Sequence, residues 1–126
     1  MFEFPLWLQD YQIADDIFGE AYEATLPPQR AWLKKTIAQV YGINSPEAPS
    51  RTWNVNTWRG GFETEVSTAP LEWTVLLLDE KSVSAVRILA ALVPALAAGV
   101  KNILAVFCGE GVISRSVLAG FELAGQ

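Results

Sequence analysis

The residues best placed to do chemistry in this chain are Gly109-Glu110-Gly111 and Ser114, which follow an apolar strand pattern and open a helical one. Backbone N–H groups in a glycine turn, with the positive end of the helix behind them, attract anions such as phosphate. Asp79 ends an earlier apolar run, at the carboxyl end of a strand, where open α/β sheets place their ligands. A carboxylate there can grip a ribose hydroxyl or serve as a base. Gly109, Gly111, Ser114 and Asp79 are therefore the candidate cofactor-binding residues. Each has a plainer alternative. Ser114 replaces the third glycine of the dinucleotide pattern and Glu110 would repel a pyrophosphate, so the glycines can simply make a tight strand-to-helix turn. Asp79 and Glu80 can simply start a helix, where acids meet the dipole.

Cys108 precedes the same helix, a position that can activate a thiol. A reactive thiol wants a base or cation beside it; the chain has no histidine, and Glu110 opposes a thiolate. A buried structural cysteine is the expectation. Without histidine, Ser-His-Asp and Cys-His nucleophiles and histidine-bound zinc are excluded within this chain, and one cysteine makes no thiolate cage. Five tryptophans are many for this length. Trp53, Trp58 and Trp73 could form a binding platform, although core or interface filling is the simpler use.

The elements that would position these residues follow from periodicity. Trp7, Tyr11, Ala14, Phe18 and Ala21 or Tyr22 share a helical face after Pro5. A second helix has Pro27 and Pro28 in its first turn, Leu33, Ile37, Val40 and Tyr41 as its buried stripe and Gly42 as its stop. Residues 1–42 thus read as a helical hairpin packed face to face. Residues 51–69 alternate in two runs about Gly60-Gly61, the pattern of a β-hairpin at an edge or over a sheet as a cover. Residues 71–126 read as a β-α-β-α block. Trp73 to Leu78 is a strand covered on both faces, a helix runs from about Ser82 to Ala98, Ile103 to Phe107 is a second buried strand, and Val112 to Ala124 is the last helix. That spacing predicts a Rossmann-like half with parallel strands and a right-handed crossover. The fold class is α/β, in one domain.

Composition narrows the partners. At 126 residues, with 51% apolar and 18% charged, the chain can bury a core. Its net charge of −5, with no basic cluster beyond Lys34-Lys35, argues against nucleic acid. The most apolar segment, Ile88 to Val100, contains Pro94 and Gly99 and falls short of the roughly 20 residues a membrane span needs. A lone cysteine and an N-terminus without a basic region point to a reducing cytoplasmic setting rather than secretion.

The stretch from Val83 to Gln126 resembles the histidinol dehydrogenase family, within the aldehyde-dehydrogenase-like fold. The similarity lies in Val93-Pro94-Ala95 inside a helix, Ala98-Gly99-Val100-Lys101 leading to Ile103–Phe107, and Val117-Leu118-Ala119 through Leu123-Ala124-Gly125. The resemblance implies a nucleotide-domain-like N-terminal piece of an oxidoreductase, with NAD as the implied cofactor. The family's glutamate–histidine base and histidine-held zinc have no counterpart here, so the piece would not be catalytic on its own. The readings from other classes are a non-catalytic interaction or oligomerisation module and a small-ligand or nucleotide-binding protein. The helix from Ser82 is apolar nearly all round, and two buried strands need more neighbours than the block offers. A homodimer that covers the helix or extends the sheet is expected; the alternatives are that the N-terminal hairpin folds back over the helix, that the β-hairpin completes the sheet, or that sequence beyond Gln126 supplies the cover.

Overall fold

The computed structural model describes residues 3–125. The N-terminal helix is two pieces rather than one: a 3₁₀ helix, Leu6–Tyr11, and α1, Asp15–Ala24. Gln12 and Ala14 are extended, with ψ of 131° and 143°, and interrupt the run. Asp15 and Asp16 account for the restart, since first-turn acids favour a helix N-terminus.

Helix α2, Pro27–Ile43, starts on its prolines as expected but passes Gly42 by one residue. Asn44 makes the stop: its Nδ2 donates to the Val40 carbonyl at 2.7 Å, and the left-handed conformation falls on Ser45, φ 51°. Arg30 locks the α1–α2 corner. Its Nε donates to the Thr25 carbonyl at 2.8 Å, its Nη2 to the Glu23 carbonyl at 2.9 Å, and the guanidinium lies 4.4 Å from the Tyr22 ring centroid. The two helices do not pack mainly on each other. Helix α1 lies along the last helix, α4 (Arg115–Ala124), and α2 along α3 (Ala85–Ala97).

Strands β1 (Thr52–Thr57) and β2 (Glu63–Thr68) form the expected antiparallel hairpin, in register from Thr52↔Thr68 to Thr57↔Glu63. Trp58 N–H donates to the Phe62 carbonyl at 2.9 Å, closing a three-residue loop that ends on Gly61 with φ 89°. A loop of that length needs a left-handed residue there, which glycine supplies without strain. The hairpin neither joins the other sheet nor covers it: every residue of both strands except Thr52 is exposed.

Strands β3 (Trp73–Leu78) and β4 (Asn102–Phe107) are parallel, paired from Trp73↔Asn102 to Leu78↔Phe107, and Cys108 N–H adds a rung to the Leu78 carbonyl at 2.7 Å. With α3 and α4 they make the β-α-β-α block of an α/β fold. Both helices begin three residues later than their apolar patterns suggest. Ser84 caps α3 by accepting from Arg87 N–H at 3.4 Å, and Ser114 holds the cap position of α4.

The core has two joined clusters. Leu33, Ala85, Leu89, Val93 and Ala119 tie α2 to α3 and α4, while Leu78, Leu92, Val117 and Phe121 tie the sheet to the same helices. The apolar circumference of α3 is thus largely covered inside one chain, by α2 on one side and α4 and β3 on the other. The sheet is not. Leu76, Leu78 and Phe107 face the helices, whereas on the alternate face Leu77 is exposed and Val75, Leu104 and Val106 are half-buried, so among the described residues β3 and β4 are only partly covered on that side.

Candidate functional site

The parallel register brings the β3–α3 and β4–α4 turns side by side at the carboxyl end of the sheet, and with them Asp79, Gly109, Gly111 and Ser114. Asp79 shapes its own turn: its Oδ1 accepts from Lys81 N–H at 2.9 Å and from the Ser82 hydroxyl at 3.3 Å. Gly109 sits directly against Glu80. A Cβ at this position would lie 2.7 Å from the Glu80 backbone nitrogen and collide with the Glu80 carboxylate, so glycine is required by close approach. Gly111 has φ 93° with open space where a side chain would be, and the Ser114 hydroxyl is 3.0 Å from that of Ser116. Asp79 and Glu80 together bring carboxylates to the mouth of the turn pair, which opposes the anion a glycine loop would otherwise attract. Cys108 is exposed rather than buried, because it stands one residue past the last strand pair.

A different surface is better built. A groove of about 840 Å³ runs beside β4, between that strand and the N-terminal segment that includes the 3₁₀ helix and the start of α1. Four consecutive residues, Leu104 to Phe107, line it, so β4 meets it with its edge, which carries no neighbouring strand. The opposite wall includes Leu8, Ile13 and Ile17, and its floor reaches Leu118 and Phe121. Among the described residues Asp15 is the sole charged one in its lining. Leu104 and Val106 also belong to the partly covered face of the sheet, where they pair with Val75 and Leu77. Leu77 is 72% exposed. Groove and sheet face are therefore one continuous apolar surface.

The tryptophans do not cluster and none is buried: Trp7, Trp32, Trp53, Trp58 and Trp73 are each between 47% and 78% exposed. Trp53 and Trp58 lie on opposite faces of the hairpin by strand alternation, and Trp73 stands on the other sheet. Trp58 stacks on Phe62 across the hairpin loop, centroids 6.1 Å apart, and its Nε1 donates to the Thr64 hydroxyl at 2.9 Å.

Sequence reasoning missed the groove because its residues come from four separated segments, and it misread β3 because an apolar run looks the same whether its second face is buried within the chain or left open. The exposed hairpin aromatics carried the available signal. Among the described residues no group of three or more histidine, cysteine, aspartate or glutamate side chains is arranged to hold a metal ion, and no helix is long and apolar enough to cross a membrane. Comparison of the chain with protein-family models, with curated proteins and with solved structures finds no match.

Proposed function

We propose that this chain is a non-catalytic assembly module that self-associates through the partly covered face of its β3–β4 sheet. The observation that carries the reading is the continuous apolar surface from Val75 and Leu77 across Leu104 and Val106 into the groove. A partly exposed apolar surface, with Leu77 open to solvent and no charged side chain on the sheet face, is the mark of an interface. Burial of apolar area returns about 25 cal/mol per Å². A single free thiol, Cys108, is compatible with a reducing, cytoplasmic setting. The test compares the parent with Leu77→Glu by light scattering after size exclusion, with circular dichroism as the folding check. The reading expects a folded dimer for the parent and a folded monomer for the variant; equal masses for the two would reject this face.

A second reading follows from a separate observation. The parallel pair with two βα turns at one end, and Gly111 at φ 93°, supports reading the block as a nucleotide-domain half of the kind that the resemblance to histidinol dehydrogenases implies. Calorimetric titration with NAD and adenine mononucleotides tests it: saturable heat lost in Gly111→Val would favour it, and no heat at millimolar ligand would remove it.

A further inference from the structure

Resting on the self-association reading, we propose that the tip of the β1–β2 hairpin of one copy inserts into the groove beside β4 of a second copy. Among the described residues the hairpin is an exposed arm: both strands are open to solvent throughout except at Thr52. Its two faces differ. Strand alternation puts Glu63 and Glu65 on the face with Trp53 and Val55, while the face with Trp58, Phe62 and Val66 carries only Asn and Thr besides. The acid-free face ends in the stacked Trp58–Phe62 pair, and the loop between these two rings holds one charged residue, Arg59.

The groove is the complement of that tip. Its walls are apolar, and among the described residues its lining has one charge, Asp15, and no lysine or arginine. Arg59 forms no ion pair among the described residues, where Arg30 with Glu23 is the pair formed. An inserted Trp58–Phe62 pair covers Leu104 and Val106, and Arg59 reaches the Asp15 rim. Aromatic side chains with a flanking arginine are also the residues that most often dominate the energy of an interface. Each copy has one arm and one groove, so a reciprocal exchange closes in a two-fold dimer with two such contacts.

Two measurements test this on the full chain. The first is the dimer Kd by sedimentation. Trp58→Ala and Arg59→Glu should each raise it at least tenfold, and Asp15→Arg combined with Arg59→Glu should recover most of that loss. The second mixes two Cys108→Ser chains, one with Arg59→Cys and one with Asp15→Cys, under mild oxidation. A mixed disulfide at twice the chain mass is expected. Placing both cysteines on one chain and finding only an internal, monomeric disulfide would overturn the exchange, since the arm would then fold back on its own groove. A dimer that Leu77→Glu breaks but neither Trp58→Ala nor Arg59→Glu weakens would overturn the arm contact while leaving the assembly reading in place. A monomeric parent removes both.

Discussion

Glu80 and Gly109 meet where the two βα turns lie side by side, the backbone of one against the bare Cα of the other. This contact leaves no room for a side chain at position 109, and it brings the Glu80 carboxylate against a glycine of the β4–α4 turn, which opposes an anion there.

Gly109→Ala should therefore act on stability. Something in the Glu80 turn must shift, and a cost of about 1–3 kcal/mol is expected in chemical denaturation. Gly111→Ala faces no clash but must hold a left-handed φ of 93°, which costs about 1–3 kcal/mol by strain alone. The informative comparison is Glu80→Gly in the Gly109→Ala background. It removes the side chain but not the backbone contact, so it should recover only part of the loss.

Arg30 is the second test, because three of its contacts converge on the α1–α2 corner. Arg30→Lys keeps the charge but loses the planar fork that serves two carbonyls and the Tyr22 ring. A loss of about 1–3 kcal/mol is expected in thermal or urea unfolding, from the carbonyl bonds and the ring contact together. The Glu23 carboxylate, 3.9 Å away and largely exposed, should matter little: Glu23→Gln is expected to change stability by no more than about 1 kcal/mol. An equal effect of the two substitutions would contradict this assignment.

Leu92 separates the core from the interface. It is fully buried between the sheet and α4, so Leu92→Ala should cost about 2–5 kcal/mol and Leu92→Glu should unfold the chain rather than release a monomer. A folded, monomeric Leu92→Glu would mean that α3, and not the sheet, is the dimer surface.

Much of the architecture is legible in the sequence. The prolines of α2, the alternation of β1 and β2 about Gly60-Gly61, and the β-α-β-α order from Trp73 onward all appear where local pattern dictates them. Local pattern fails where competing local bonds or distant segments decide. The starts of α1 and α3 moved to the first-turn acids Asp15 and Asp16 and to the Ser84 cap, α4 starts after Ser114 with no side-chain cap bond, and α2 ended at the Asn44 side-chain bond instead of at Gly42. The site is less legible. Asp79, Gly109, Gly111 and Ser114 do come to one end of the sheet, but that Glu80 would lie over Gly109 depends on the register of two strands some thirty residues apart. The groove depends on where the 3₁₀ helix and α1 settle against β4, which no periodicity reports.

The histidine-free chain should also show no zinc- and NAD-dependent oxidation of amino alcohols when pure. Turnover that tracks the 126-residue protein through purification would contradict the non-catalytic reading directly.

Self-association through the face of β3–β4 with Leu77 and the groove beside it requires two copies of this chain to meet in solution. Sedimentation equilibrium of the unmodified protein over a micromolar concentration series tests it most directly. The expected mass rises with concentration to twice 13.8 kDa. A single ideal species of 13.8 kDa across the series would contradict it.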